Sequence, residues 1–429
     1  MARDGTLSST GGVGQVRRML TSPSGDTRLP SHRLMLFLVI TAGILNYVDR
    51  QLIAILKPIL AQELGWSDAD YGDLAAVFQL GAVAAFPLVG WLVDRLGPRT
   101  SNLIAVGAWS LAAAAHGLAF TLGQFTAARV ALGATEAMGT PTAMKTLAAL
   151  FDSRSRALAL GIMNAASSAG AIVTPLVIPA FAVLAGWRLC FVAVGALGMI
   201  WCAAWLVSSA NMPWTKTQAR ARPDEAKMES WRVVLADRAT WGLVGAKVLS
   251  DQAWWLLLFW LPDLFHRLFH LDVGALGLPL ACIYTSAAAG AFIGGATSSA
   301  LARSRDLGVA RGRVMAASAL VAASMPLALL ADQAWQATAA LGLALAAHQS
   351  FSVNLFATLT DAVAPERIGR VTAIGALCGN LGGMALLAAT GRILAAGHGY
   401  LPVLLFSACA YLLAPAALRL LAPRRAAPA

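Results

Sequence analysis

Charge is scarce in this chain. Only 12% of its 429 residues are Asp, Glu, Lys or Arg, against 58% that are hydrophobic. A soluble domain carries about 25% charged residues, so the polar surface here is too small to cover a water-facing globule. Soluble, disordered and fibrous classes are thereby excluded. Cysteine is scarce as well. Cys190, Cys202, Cys282, Cys378 and Cys409 all lie in apolar runs, without a CxxC or a neighbouring His ligand. They read as small apolar packing residues, and neither a disulfide nor a metal site is indicated. Also missing are a nucleotide-binding loop, a zinc motif and a nucleophile-elbow sequence. No cofactor is called for, and no nucleophile–base or metal set suggests an enzyme.

Apolar runs, by contrast, are long and many. At ~20 residues per span the chain holds twelve, roughly 34–57, 71–94, 101–120, 124–150, 156–184, 188–209, 240–268, 275–301, 312–331, 334–360, 369–394 and 399–421. The expected class is an all-α polytopic membrane protein of twelve transmembrane helices. Its 39 glycines and 18 prolines fit, because packed membrane helices tolerate both. Most connections are very short. The exception, 210–239, is polar and carries Lys216, Arg220, Arg222, Asp224, Glu225, Lys227 and Glu229; it divides the spans six and six. The expected organisation is a disordered cytoplasmic tail at 1–33, a six-helix half at 34–209, a cytoplasmic loop at 210–239, a second six-helix half at 240–421 and a cytoplasmic tail at 422–429. Leu34 to Ile55 is too long for a signal-peptide core and lacks a clean cleavage site, so the first span is expected to remain.

The net charge of +11 would suit a nucleic-acid partner, but its placement argues otherwise. With the N-terminus inside, the tails and even-numbered loops hold 24 of the 32 Lys and Arg residues. The opposite side holds Lys57, Arg188, Arg267 and Arg392, and the spans hold Arg50, Arg129, Lys145 and Lys247. Basic residues flanking apolar spans mark cytoplasmic loops. Both termini are thus expected in the cytoplasm of a multi-pass inner (plasma) membrane protein, with the lipid bilayer and no nucleic acid as partner.

The two halves echo one another. Arg156-Ala-Leu-Ala-Leu-Gly161 follows span four, and Arg370-Val-Thr-Ala-Ile-Gly375 follows span ten with the same spacing. Two six-helix halves related in this way are the trace of a transporter that rocks about a central site. No region is large or polar enough for a soluble ATPase domain, so such a transporter would draw on an ion gradient or on the substrate's own. Gly290 and Gly294 in span eight form a GxxxG, and Gly375, Gly379 and Gly383 in span eleven form two in series. Ala165 and Ala169 repeat the spacing in span five. Such stripes let helix backbones approach closely, either where the halves slide or in ordinary packing.

Charged groups inside apolar spans are the informative ones, since each costs several kcal/mol unless paired or hydrated. Span one carries Asn46-Tyr47-Val48-Asp49-Arg50-Gln51. Asp49 and Arg50 can offset each other's field, yet they point about 100° apart on a helix, so each needs a further partner. Span four carries Arg129 and Glu136, on one face and about 10 Å apart along the axis. That is too far for a direct salt bridge, leaving room for a ligand, a water or Asp49 of a neighbouring helix. A carboxylate in so apolar a setting can exchange a proton near neutral pH. An arginine there offers a bidentate fork to a carboxylate. The four residues point either to a proton site beside an anion site or to a structural quartet that staples helices.

Lys145 falls on the face opposite Glu136, as a gate or a snorkelling lysine, and Lys247 and Asp251 are spaced to pair within one helix. His116 and His348 read as hydrogen-bonded packing residues. Asn164, Ser167, Ser168, Gln349, Asn354 and Asn380 are suited either to a hydroxylated ligand or to bridging helices. Trp254, Trp255 and Trp260 are suited to stacking on a sugar face or to anchoring at the membrane interface.

Between spans two and three the chain reads Gly90-Trp91-Leu92-Val93-Asp94-Arg95-Leu96-Gly97-Pro98-Arg99. This resembles the G-x-L-x-D-R-x-G-x-R signature of the major facilitator superfamily, which implies two pseudo-symmetric six-helix halves. It also implies a conformational latch made of Gly90, Asp94, Arg95, Gly97 and Arg99, with Asp94 holding the outward-facing state shut on the cytoplasmic side. A narrower resemblance runs from about residue 40 to 395. It rests on Asn46-Tyr47-Val48-Asp49-Arg50, on Glu136 with Pro141 and Lys145, and on Gly186-Trp187-Arg188. These look like the anion:cation symporter family. Lys247 to Asp251 before Trp254-Trp255, Phe259-Trp260-Leu261-Pro262, Gly277-Leu278-Pro279-Leu280, His348-Gln349 and Asn354-Leu355-Phe356 resemble its hexuronate-transporter branch.

That family implies proton-coupled uptake of an organic anion, commonly a sugar acid. Carried to these positions, Asp49 and Glu136 would be proton sites, Arg50 would meet the substrate carboxylate, and Arg129 would modulate the surroundings of Glu136. Tyr47, Arg129, Ser167, Asn354 and Asn380 complete the expected substrate-binding set. Ala82, Phe86, Thr140 and Ala288 depart from the branch's pattern, and a pocket that loses a hydroxyl and an amide suits a polyol less well. The expectation is import of a small organic anion by proton symport through alternating access, for which a monomer suffices. An exporter or facilitator of an aromatic or other organic acid with the same fold is the alternative. A membrane-embedded sensor would need a signalling domain larger than either tail.

Overall fold

Long runs of Ala, Leu, Val and Gly that face lipid must satisfy their backbone N–H and C=O groups internally, and a helix does so within one segment. The computed structural model describes residues 29–151, 153–210, 212, 214, 231–363 and 365–421, excepting the side chains at 29–31, 153–158, 164–167, 365, 366 and 421. The first half comprises α1 (Leu29–Leu64), α2 (Asp68–Gly117), α3 (Leu122–Glu136), α4 (Gly139–Leu150), α5 (Ser153–Ala185) and α6 (Trp187–Ser209). After the short α7 (Trp231–Ala236) come α8 (Arg238–Phe269), α9 (Gly277–Leu301), α10 (Leu307–Ala322), α11 (Ala334–Ala362), α12 (Pro365–Ala395) and α13 (Leu401–Leu421).

Nine segments among the described residues are long and apolar enough to cross a membrane. The twelve expected spans map onto the helices as follows. Helix α2, at 50 residues, doubles back at Gly97, whose φ of 72° suits glycine, and so supplies two spans. Span four is split into α3 and α4 at Ala137 and Met138. Helix α8 carries Lys247, Asp251 and Asp263, which lower its apolar character. Helix α1 begins at Leu29, so the expected tail boundary at 33 falls inside a helix. The rest of that tail, the tail at 422–429 and most of the 210–239 connection lie outside the described residues.

Within the first half α2 packs on α3 and α6, and α1 on α5 and α6. Within the second, α9 packs on α11, and α8 on α12 and α13. Between the halves α2 meets α12, α5 meets α9 and α1 meets α8. A two-fold relation between six-helix halves requires this, because it exchanges the α2–α12 pair with the α5–α9 pair. Leu184, Val207, Phe292 and Leu330 are among many large apolar side chains left on the periphery, which lipid accommodates and water does not.

The glycine stripes pack within halves rather than between them. A β-carbon at Gly290 would lie 2.1 Å from the Ala346 carbonyl oxygen and one at Gly294 2.2 Å from Ser350 Oγ, so both press α9 on α11. Gly375, Gly379 and Gly383 face Lys247, Asp251 and Trp255 of α8. Close approach between the halves falls to Gly72 and Gly391, where a β-carbon on Gly72 would stand 2.9 Å from the other's Cα, and to Gly277 of α9, where one would stand 2.8 Å from the Pro175 carbonyl oxygen of α5.

Candidate functional site

Beside the central charges, α2 and α3 touch backbone to backbone. A β-carbon at Gly133 would lie 2.0 Å from the Phe78 carbonyl oxygen, and one at Gly81 2.3 Å from that of Val130. Gly133 falls between Arg129 and Glu136 on α3, and Arg129 stands over the Phe78 ring. Ala82 sits in the same contact, its backbone nitrogen against Gly133. On the other flank, Gly170 of α5 lets that helix close on Ile44 and Tyr47 of α1.

Arg50 is the hub. Its Nη2 donates to Glu136 Oε2 at 2.9 Å and to Asn46 Oδ1 at 3.1 Å, and its Nε donates to the same Oε2 at 3.2 Å. The guanidinium carbon stands 5.3 Å from the centre of the Tyr47 ring, 5.5 Å from Phe78 and 5.6 Å from Trp255. Trp255 belongs to α8, so Arg50 lies where the halves face one another. In this ion pair the Glu136 side chain is 1% exposed and the Arg50 side chain 17%, so the arginine is the member that reaches open space.

The further partner expected for Arg50 is Glu136. Asp49 is buried, with no hydrogen-bond partner on Oδ1. Arg129 is fully buried, its guanidinium carbon 4.8 Å from the Phe78 ring centre and 5.8 Å from that of Phe259, with no hydrogen-bond partner on Nε, Nη1 or Nη2. Neither residue takes part in an ion pair among the described residues.

The remaining expected residues are dispersed. Asn354 donates to the carbonyl oxygens of Gly294 at 3.2 Å and Ser350 at 2.9 Å, tying α11 to α9. Asn380 is half-buried in α12, and the Ser167 side chain lies outside the described residues. Lys145 is neither free nor snorkelling; it donates to Asp94 Oδ1 at 2.8 Å and to the Val93 carbonyl at 3.0 Å. Lys247 and Asp251 pair at 2.5 Å as their spacing predicts. His116 stacks on Phe191, and His348 stacks on Trp254 and meets the Tyr411 hydroxyl. In the glycine-bounded loop, Arg95 lies over Trp91 and Arg99 Nε donates to Ser209 Oγ at 3.2 Å. A β-carbon at Gly90 would meet open space. Every one of these loop contacts stays in the first half.

One charged cluster escaped sequence reasoning. At the end of the bundle where α1 turns into α2, Lys57 Nζ donates to Asp68 Oδ1 at 2.7 Å and also to Asp263. Arg267 donates to Asp263 Oδ2 at 2.7 Å and also to Asp68, and the Tyr400 hydroxyl donates to Asp263 Oδ2 at 2.5 Å. Two cations and two carboxylates thus close a ring across the halves. Beside it the Tyr71 hydroxyl donates to the Phe259 carbonyl at 2.6 Å, and Arg392 pairs with Asp73 at 3.0 Å. Lys57 is buried over the rings of Trp260 and Tyr71, so Trp260 supports this ring of charges rather than the membrane interface. The available signal was a lone lysine ending span one on the charge-poor side, with acids ending spans on that same side.

This fold has known counterparts. The Major Facilitator Superfamily model matches residues 39–387, and the chain belongs to that family, whose members are transporters rather than enzymes. A protein of Escherichia coli K12 named "Probable L-galactonate transporter" is 30% identical over 272 residues, 61% of this chain and 60% of its own length. The Hexuronate transporter of the same strain is 28% identical over 241 residues, 53% and 56% of the two chains. The chain therefore spans little more than half the length of these curated relatives. The crystal structure of a D-xylose-proton symporter shares the fold at a TM-score of 0.73 and 14% identity, covering 91% of this chain and 98% of that one.

Proposed function

We propose that the chain imports a sugar acid, or a related small carboxylate, across the inner membrane together with protons. The names of the relatives point to sugar acids, and the charge distribution supports a cytoplasmic side for both termini and the 210–239 loop. On that orientation the Lys57 ring faces outside and closes the outer entrance, and the Gly97 bend faces inside.

The observation that carries this reading is the Arg50–Glu136 pair. A buried glutamate holds, with two hydrogen bonds from one arginine, the cation that a substrate carboxylate needs. Substrate and Glu136 compete for Arg50. Protonation of Glu136 removes its claim and frees Arg50 for the substrate, with Tyr47, Phe78 and Trp255 forming the walls around it. Asp49, buried with no hydrogen-bond partner on Oδ1, is costly as an anion and supplies a second proton position. Asn380 and Ser167 are the candidate hydroxyl partners, and Asn354 holds α9 to α11. Asp94, Arg95 and Arg99, on their Gly90 and Gly97 hinges, latch the inner end when the outer ring opens. On release inside, Glu136 loses its proton to the more alkaline cytoplasm and takes Arg50 back. Each step favours one of two states by differential contact.

Proteoliposomes with a raised internal pH and radiolabelled galactonate, galacturonate or glucuronate test the reading. Wild type should accumulate label above equilibrium, and the accumulation should collapse with the pH gradient. Glu136→Gln, which cannot titrate, should lose accumulation while retaining exchange of labelled for unlabelled substrate. Plain equilibration at one rate in both proteins would leave Glu136 a structural residue and the chain a facilitator.

A further inference from the structure

We infer that Arg129 forms a second carboxylate subsite on the outer approach, one that captures substrate on its way in and is bypassed on its way out. The inference rests on the proton-coupled sugar-acid reading and its orientation.

Its first support is the guanidinium itself. Arg129 stays charged, is fully buried, and has no hydrogen-bond partner on any of its three nitrogens. A buried charge without a hydrogen-bonded partner is costly, and the two ring faces and the nearby carboxylates of Glu136 and Asp49 give the fork no acceptor. Arginines that staple this bundle look different. Arg188 donates to the carbonyls of Gly117 at 3.2 Å and Ala119 at 2.8 Å, whereas Arg129 holds no helix to another by hydrogen bonding. Its five donors form a planar fork suited to a carboxylate.

The second support is position. Arg129 lies seven residues closer than Glu136 to the outer end of α3, about 10 Å along the axis. Phe78, from its own half, stands against both Arg129 and Arg50. Phe259, from the second half, covers Arg129 and is tethered through its carbonyl by Tyr71. Beyond Phe259 come Trp260, Lys57 and the ring of charges. When that ring opens, Phe259 leaves with α8 and uncovers Arg129, while Arg50 remains behind Phe78. A carboxylate entering from outside thus meets Arg129 first, then passes one aromatic ring to reach Arg50. Leaving inward, it departs from Arg50 and never returns to Arg129.

The charged and titratable groups around Arg129 agree with this order. Glu136, Tyr71, Arg50, Asp49 and His116 are within electrostatic reach. Once the two acids are protonated, as coupled uptake requires, no anion of the protein competes with the substrate for the fork.

Transport in right-side-out and inside-out membrane vesicles tests the subsite, with radiolabelled D-galacturonate as probe. Arg129→Met should raise the KM for substrate offered at the outer face at least tenfold and leave the KM at the inner face within about twofold. Arg129→Lys, which keeps the charge without the planar fork, should show the same asymmetry at about threefold. It also serves alone if Arg129→Met does not assemble. Equal losses at both faces, or a pH profile displaced equally in both directions, would mean that Arg129 only tunes Glu136 or braces the fold, and would overturn the subsite. A wild type that accumulates no sugar acid overturns the transport reading instead, a result distinct from symmetric losses in an active protein.

Discussion

At the end of the bundle where α1 turns into α2, three ion pairs join one half to the other: Lys57–Asp263, Asp68–Arg267 and Asp73–Arg392. At the Gly97 end the described ion pairs Asp94–Lys145, Arg311–Asp361 and Arg367–Asp237 each close within one half. Charge density is not what separates the two ends, since the Gly97 end is the richer in basic residues. What differs is the partner. Pairs that cross between halves must break when the halves part there, so they bias the equilibrium toward the closed arrangement. Pairs within a half travel with it and do not themselves oppose the parting. On the rocking reading proposed above, the difference teaches that the end whose charges cross is the end held shut.

The largest expected effect comes from breaking the buried part of the crossing ring. Lys57→Met leaves Asp68 and Asp263 with only Arg267 between them. Removing one partner of a buried pair costs about 3–5 kcal/mol, and every 1.4 kcal/mol is tenfold. Part of this loss will appear as lower stability. If half of it bears on the balance between states, the outward-open population rises by about tenfold or more. Spin labels at the outer ends of α2 and α12 read the change as a longer distance. Asp361→Asn, at the other end, should leave that distance unchanged. If both variants give the wild-type distribution, the ring is not a clamp.

A steric test separates crossing contacts from internal ones without touching charge. A β-carbon at Gly391 would lie 2.4 Å from the Asp68 carbonyl oxygen, between the halves. At Gly290 it would meet Ala346 within one half. Overpacking of this kind costs about 1–3 kcal/mol at either site, but the consequences diverge. Gly391→Val should wedge the outer end open and lengthen the same label distance. Gly290→Val should lower the melting temperature and leave the distance alone. Equal behaviour of the two variants would show that the α2–α12 seam does not move.

These contrasts also explain what the sequence could and could not reveal. Span count, helical class and the Arg50, Glu136 and Asp49 constellation were legible, because an ionisable residue inside an apolar run is expensive wherever the helices end up. Pairings were not. Periodicity places Arg129 and Glu136 on one face, yet the partner of Glu136 is Arg50 of α1. The stripe at Gly290 and Gly294 correctly announced close helices but not which ones. The Lys57 ring joins residues 206 positions apart, and each member alone is an ordinary charge at a helix end. Local patterns report what a residue must avoid, whereas the choice of partner is made by tertiary packing.

The smallest effect isolates the exposed rim of the same clamp. Arg392 and Asp73 cross between the halves like Lys57 and Asp263, but their side chains are 63% and 51% exposed. An exposed pair is worth about 0–1 kcal/mol, so Arg392→Gln should change the outward-open population by at most about fivefold. Screening gives the decisive control. The Debye length falls from about 10 Å at 0.1 M salt to about 3 Å at 1 M, so the difference between wild type and Arg392→Gln should disappear at high salt. That between wild type and Lys57→Met should persist, because its charges are shielded from solvent. If crossing between halves were all that mattered, the two variants would respond alike. A salt-resistant Lys57 effect beside a salt-erased Arg392 effect would show that burial decides how strongly a crossing pair biases the transporter.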